Sequence, residues 1–163
     1  MTSSEKTTDQ EITDLREKNR EYENLIHELS TPIIPSIVPN TILVPLMGSL
    51  SSERFIHIQE KIVKSIVKEK ADTVLIDFTA ISSHEIEDST NYQILIDQIK
   101  ALVGALKLMG AETLFVGFSS HLVKKLVSSN VNGFSDINAH ATFRTGLQYL
   151  LDKKGMEIRK KED

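Results

Sequence analysis

The sequence predicts an α/β fold: a mixed, mostly parallel sheet of four to five strands with four helices, preceded by a separate N-terminal helix. Nearly unbroken apolar runs, typical of strands covered on both faces, occur at 73–78 and 113–117. Segments with apolar residues at helical spacing lie between and after these runs. Two prolines within 31–35 separate this α/β pattern from a charged helical segment before it.

The first segment, 1–30, predicts a helical linker with a coiled-coil seam. Residues spaced alternately by three and four form the two seam positions of a heptad repeat: Ile12, Leu15, Asn19, Tyr22, Ile26 and Leu29. One Asn in such a seam favours a parallel pair of helices in fixed register, so we expect a homodimer or higher assembly. The alternative is an amphipathic helix folded back on its own domain. Eighteen residues of helix are marginal alone, so the rest of the protein must help to hold any dimer.

The second segment, 31–152, predicts the folded domain, and 153–163 a charged tail. Strands are expected at 33–38, 41–47, 73–78 and 113–117, with a possible short strand at 135–138. Helices are expected at 52–70, 89–109, about 120–129 and 141–153. Ser51 is a plausible N-cap for the first of these helices, and Gly110 a good residue to follow the end of the second. Right-handed crossovers then place helices on the face of the sheet.

Composition and charge argue against several classes of protein. The net charge of −4 and the lack of a basic stripe interleaved with aromatic residues argue against a nucleic-acid binder. Residues 1–30 hold eight acidic and four basic side chains, so they carry the whole excess. The sequence has no cysteine, which excludes disulfides and thiol catalysis and fits a reducing compartment. Without a signal peptide or a membrane-length apolar run, we expect a cytoplasmic protein with no membrane contact.

Motifs for catalysis, metals and cofactors are missing from the sequence, so we expect no enzyme activity, no metal and no cofactor. Neither phosphate-loop pattern, GxxxxGK[ST] or GxGxxG, occurs. The five histidines lie far apart, outside any metal-ligand spacing: His27, His57, His84, His121 and His140. Asp77 and Glu85 are a conceivable acid/base pair, and a hydrolase or transferase using Asp77 is the weakest option. An Asp at a strand end followed by Thr is as readily a turn residue that accepts backbone amides.

Five sequence blocks in a fixed order point to a family. They are LSTPIIP at 29–35, ILVPLMGSLSSERF at 42–55, LIDFTAI at 75–81, LKLMGAETLFVGF at 106–118 and ATFRTGLQYL at 141–150. From about Leu29 to Leu151 the chain therefore resembles the STAS domains of anti-sigma-factor antagonists, and within them the stressosome co-antagonists of the RsbR type and their blue-light-receptor relatives. The N-terminal segment occupies the place of the family's helical linker from a sensor domain.

The resemblance implies a STAS fold and a non-catalytic signalling role. Proteins of this type assemble into large cytoplasmic complexes with other STAS-domain antagonist proteins. They bind a serine/threonine switch kinase and release it when phosphorylated, in a stress-response pathway that ends in an alternative sigma factor. The alternative is a STAS module that senses a small molecule or another signal without phosphorylation.

The family's phosphorylation pattern, which resembles D-x-T-G-x-x-x-x-D-T, is only partly kept. Asp77 and Thr79 match it, but Ala80 replaces the Gly, and the expected acceptor position has no hydroxyl. Counting back from LMGA instead leads to residues 92 and 93, because the segment is about seven residues longer than usual. Only Asp88 followed by Ser89 restores an acid and a hydroxyl at a plausible helix start.

Ser89 is therefore the first candidate for phosphorylation and Thr90 the second, although an ordinary N-cap explains Ser89 equally well. Lys125 occupies the family's second acceptor position, where it cannot accept a phosphate. A further hypothesis is that Glu85 or Glu87 supplies a permanent negative charge. The candidate partner-binding residues are Asp77, Thr79, Glu85, Asp88 and Lys125.

Overall fold

A computed structural model describes residues 3–29, 31–48, 50–81, 89–128 and 137–161. The chain divides into two compact units, Met1–Ser30 and Thr31–Asp163. We describe each unit by itself.

The first unit contains one helix, α1, which spans Ser3–Leu29. Its 27 residues extend about 40 Å at 1.5 Å per residue. The sequence predicted eighteen helical residues because only that part carries the apolar seam. The helix begins earlier because 3–11 contains no Gly or Pro and several good helix formers, so nothing in it stops the helix.

The described residues of the second unit form a five-stranded sheet with four helices. In chain order the elements are β1 Ile34–Pro35, β2 Thr41–Met47, α2 Ser52–Glu69, β3 Thr73–Ala80, α3 Ser89–Leu108, β4 Glu112–Val116, α4 Ser120–Ser128, β5 Asn138–His140 and α5 Phe143–Lys153. The strand order is β1-β2-β3-β4-β5, with β1 antiparallel to β2 and every other neighbouring pair parallel. The predicted mixed, mostly parallel sheet is confirmed.

The two short strands differ from their predicted bounds. β1 covers two residues instead of 33–38, because the chain turns after Pro35. The Ser36 amide donates to the Thr41 carbonyl at 2.9 Å, and the Val38 amide donates to Ser36 Oγ at 3.1 Å. β5 begins at Asn138 instead of near residue 135, since its pairing with β4 runs from Leu114↔Asn138 to Val116↔His140. Residues 135 and 136 lie outside the described residues.

Both faces of the sheet are packed, as its apolar central strands predicted. One face meets α2, α3 and Leu122 of α4 in the larger core, to which β3 contributes Val74, Ile76 and Phe78. The other face meets α5, where a smaller core joins Leu75, Leu114 and Val116 to two leucines of the helix. A Cβ on Gly146 of α5 would lie 2.4 Å from Val116 Cγ1, so glycine is what allows the helix this close to β4.

A polar cluster ties the end of α5 to the start of the sheet. Lys154 Nζ lies 2.8 Å from Asp72 Oδ1 and donates to the Pro39 carbonyl at 2.7 Å. The Thr73 hydroxyl donates to the same Asp72 oxygen at 2.7 Å. Partial burial raises the pKa of the Asp72 carboxyl, but hydrogen bonds from Lys154, Thr73 and Asn40 and the Lys154 charge outweigh it, so the pKa is lowered overall.

The cluster predicts a pH-dependent effect of Asp72→Asn. Because the Asp72 pKa is lower in the folded protein, its stabilisation is present above the unfolded value near 3.8 and is lost as the pH falls through the folded value. The Asp72 side chain is 52% exposed, so we expect a loss of no more than about 1 kcal/mol at pH 7. Urea unfolding measures this loss, and the loss should shrink as the pH falls below about 3.8. Asp152→Asn is the matched control; an Asp72→Asn loss that does not change with pH would contradict the prediction.

Candidate functional site

The candidate site lies at the edge of the sheet where the parallel strands end and the helices begin. Four strands, β2 to β5, are each followed by a helix. The chain runs from the carboxyl end of the strand to the N-terminus of that helix, so α2, α3, α4 and α5 all begin at this edge. Free N–H groups and the helix dipole make such an edge favourable for negatively charged groups. We call it the strand-end surface and define it as 77–80, 89–90, 117–119 and 140–142.

Asp77 and Thr79 form a fixed turn at the end of β3. Asp77 Oδ1 accepts the backbone N–H of Thr79 at 2.8 Å and also the Thr79 hydroxyl. These bonds match the turn interpretation of Asp77, because one oxygen of its carboxylate accepts both of them. The Thr79 residue remains exposed. The turn therefore presents a polar residue to solvent in a defined position.

Gly117, directly after β4, is required by this turn, whereas the sequence predicted only that it ends the strand at 113–117. Its φ of +76° lies in the left-handed region. A Cβ at this position would lie 2.3 Å from Thr79 Oγ1 and 2.6 Å from Thr79 N. The Gly117 amide also donates to the His140 carbonyl at 3.2 Å, so it joins the ends of three neighbouring strands. The sequence feature that indicates the role of Gly117 is its position directly after the buried strand.

The start of α4 packs on the first turns of α3. Ser119 caps α4 by accepting the Leu122 amide at 3.1 Å. The rings of Tyr92 and His121 lie 5.6 Å apart and connect the two helices. Phe118 stacks on Phe115 at 5.4 Å and closes the core beneath the surface. None of these roles was predicted, because contacts between helices do not follow from the periodicity of either helix.

The other predicted site residues are described to different extents. Ser89 and Thr90 are the first two residues of α3, but the description does not extend to their side chains. Lys125 belongs to α4, again without a described side chain. Glu85, Glu87 and Asp88 lie outside the described residues. Of the candidate set, the structure therefore brings together Asp77 and Thr79.

The seam residues of α1 all lie at the surface of their unit. The apolar members are between 41% and 69% exposed, and Asn19 is also exposed. Leu25, which the heptad analysis passed over, is 51% exposed and lies beside Ile26 in the sequence. The helix therefore carries an apolar stripe that its own unit does not cover.

The described residues contain neither a metal-ligand cluster nor a membrane-spanning helix. Across the described ranges, no three His, Asp or Glu side chains group as a metal site would require. No helix in the described part of the chain has the length and apolar character needed to cross a membrane.

Comparison with known proteins gives relatives in sequence. No family model matches the chain. It is 27% identical over 133 residues to the RsbT co-antagonist protein RsbRA of Bacillus subtilis, which covers 82% of this chain and 45% of that protein. The chain spans about half the length of the curated relatives it matches.

Solved structures give the fold. A single-residue variant of RsbS from Moorella thermoacetica superimposes with a TM-score of 0.57 at 19% identity, covering 77% of this chain and 98% of that one. A chain from a structure of the stressosome, described as a signal integration and transduction hub, superimposes with a TM-score of 0.55 at 18% identity, covering 77% of this chain and 100% of that one. At these identities the likeness shows the fold alone.

The strand-end surface predicts a large effect of Gly117→Ala. The added Cβ would collide with Thr79 as well as strain the backbone, so we expect a loss of unfolding free energy of about 3 kcal/mol or more. Gly110→Ala is the matched control. Its φ of +78° is equally left-handed, but a Cβ there would meet nothing within 4 Å. The control should lose only about 1 to 2 kcal/mol, and equal losses in urea unfolding would contradict the contact with Thr79.

Proposed function

Because the chain carries a STAS domain of the anti-sigma-factor-antagonist family, RsbR-like in sequence, we propose that it is a non-catalytic signalling scaffold in a stressosome-like complex. In this role it binds other STAS-domain antagonist proteins and a serine/threonine switch kinase in the cytoplasm. The complex regulates an alternative sigma factor in the stress response. The observation that carries the proposal is the likeness to RsbRA across 82% of the chain.

The strand-end surface is the proposed kinase-binding region. The turn of Asp77 and Thr79, held against Gly117, gives it a rigid polar centre. Ser89 and Thr90 occupy the first two positions of α3, where the helix dipole stabilises negative charge. A phosphate there adds about 1.5 to 2 negative charges without disturbing the helix, while changing what the surface binds.

Charged residues on either side of the start of α3 in the sequence also belong to this proposal. Lys125, on α4, keeps the family's second acceptor position permanently positive, so control by phosphate is confined to the start of α3. Glu85, Glu87 and Asp88 contribute negative charge on the chain just before that helix.

The permanent-charge role of Glu85 and Glu87 is tested by exchanging both residues for Gln. If they supply the charge that a phosphate would otherwise bring, the exchange changes the affinity for the kinase. Unchanged kinase binding would exclude that role.

The proposed assembly begins with a parallel dimer through α1. Its exposed apolar stripe, Ile12 to Leu29 in heptad spacing, supports a partner helix of the same kind. Asn19 in the seam sets the register, since pairing it with another Asn leaves no buried amide unsatisfied.

The alternative function, a STAS module that binds a small molecule, is favoured by one observation. A cavity of about 640 Å³ lies at the opposite end of the sheet, between α3 and the starts of β4 and β5. Its volume falls in the range of small-molecule sites. The two functions are compatible, because the cavity and the strand-end surface do not share residues.

Phosphorylation is tested by incubating the protein with a serine/threonine switch kinase and ATP, followed by mass spectrometry. We expect one phosphate, at Ser89 or Thr90, and none on the double Ala variant. Ser120→Ala is the matched control, since Ser120 is also the first residue of a helix. Replacing Ser89 and Thr90 by Asp should weaken kinase binding about tenfold, or about 1.4 kcal/mol. Kinase binding that is insensitive to these replacements would contradict control at the start of α3.

Dimerisation through α1 is tested by placing a charge in the seam of the full chain. Ile26→Asp buries a carboxylate in the proposed interface, so light scattering should show a dissociation constant at least about 100-fold higher. Asn24→Asp adds the same residue at the outermost heptad position and should leave the mass unchanged. If both variants behave like the parent chain, α1 does not form the dimer.

A further inference from the structure

The cavity at the opposite end of the sheet is a groove with a defined chemical character. It lies along the C-terminal half of α3 and opens onto the first residues of β4 and β5. We call it the α3 groove and define it by Lys100, Val103, Gly104, Lys107, Thr113 and Ile137. Val103 and Ile137 give it apolar walls, and two lysines flank them.

The α3 groove has a lysine that can bind an anion. Lys107 lies three residues after Gly104 on α3 and is exposed, so its ammonium group can reach a ligand in the groove. Among the described lining residues the acidic one is Glu112, whose Oε2 is 2.6 Å from Lys153 Nζ. Glu112 Oε1 accepts the side-chain amide of Asn138 at 3.4 Å. Because Lys153 balances Glu112, Lys107 favours an anion in the groove.

Gly104 is a position in the groove that packing within the protein does not explain. It lies in the interior of α3, where glycine costs about 1 kcal/mol relative to alanine. A Cβ there would meet nothing within 4 Å, so no contact among the described residues requires its absence. Glycine at such a position lets a bound molecule approach the helix backbone closely.

Thr113 is a second groove residue whose chemistry is not explained by contacts among the described residues. The residue is only 8% exposed, and its hydroxyl has no hydrogen-bond partner in the described part of the protein. A buried hydroxyl without a partner is unfavourable, and buried polar groups in proteins are nearly always paired. Because Thr113 lines the groove, a ligand bound there can supply the missing partner once the hydroxyl turns toward it.

We propose that the α3 groove binds an amphipathic monocarboxylate, a molecule with one carboxylate and an extended apolar body. The apolar body lies against Val103, Gly104 and Ile137. The carboxylate accepts hydrogen bonds from the Lys107 ammonium group and from the Thr113 hydroxyl. Such a site goes beyond the scaffold function and does not depend on it, because it shares no residue with the strand-end surface.

Decanoate, kept below its micelle concentration, is the probe for this site in the full chain. Isothermal titration calorimetry should show one saturable site per chain. Decanol keeps the apolar body without the charge, and acetate keeps the charge without the body, so both should bind at least about tenfold more weakly. Absence of saturable decanoate binding, or equal binding of decanol, would overturn the proposal.

Gly104→Leu separates binding from folding. The new side chain occupies the groove, so decanoate binding should be lost, while the melting temperature should be kept or raised because Leu is the better helix former. Ala101→Leu is the matched control, since it enlarges an exposed residue of the same helix that does not line the groove. Gly104→Leu with undiminished decanoate binding would place the ligand elsewhere and overturn the proposal.

Two further variants test the polar contacts. Lys107→Met should weaken decanoate binding about tenfold, whereas Lys64→Met, on the exposed surface of α2, should not. Thr113→Val keeps the shape and removes a hydroxyl that has no partner among the described residues. It should therefore leave stability unchanged or improved and weaken decanoate binding severalfold. If neither Lys107→Met nor Thr113→Val weakens binding, the proposed carboxylate position is wrong.

Discussion

The rest of this structure depends on one constraint: the neighbouring strands from β2 through β3 and β4 to β5 all pair in parallel. Parallel neighbours cannot be joined by a tight turn, so each strand must return through a helix. The return places the N-termini of α2, α3, α4 and α5 at one edge of the sheet and their C-termini at the other. The edge with the N-termini is suited to negative groups, and the two ends of the domain therefore differ in chemistry before any special residue is considered.

Close approaches of backbone and side chains make this edge rigid. Thr79 meets Gly117 where β3 and β4 end, and α5 meets β4 through Gly146. Both contacts exclude a Cβ, so they leave little room for the strand ends to shift relative to one another. A surface that must be recognised by other proteins benefits from such rigidity, because fewer side chains and loops need to be ordered on binding. α3 reaches from this surface to the groove at the other end.

The sequence could predict what depends on local pattern. The run at 73–78 predicted a strand buried on both faces, and Ser51 caps α2 by accepting the Arg54 amide at 3.2 Å. In α3 the apolar pattern predicts a helix but not its buried face: Ile94 is 41% exposed, whereas Ile96 is buried. A helix with apolar residues on more than one side does not reveal its buried face until its neighbours are placed. The fit of Gly117 to Thr79 and the groove beside Gly104 depend on tertiary contacts, so no local pattern could predict them.

The proposed scaffold function is a statement about assembly, and the mass of a reconstituted complex tests it most directly. The full chain, a partner STAS-domain antagonist and a serine/threonine switch kinase would be mixed and analysed by light scattering after size separation. We expect all three to elute together in a particle much larger than any pair of them. If the chain elutes alone at every ratio, with the kinase and the partner in separate fractions, it is not a scaffold of this kind.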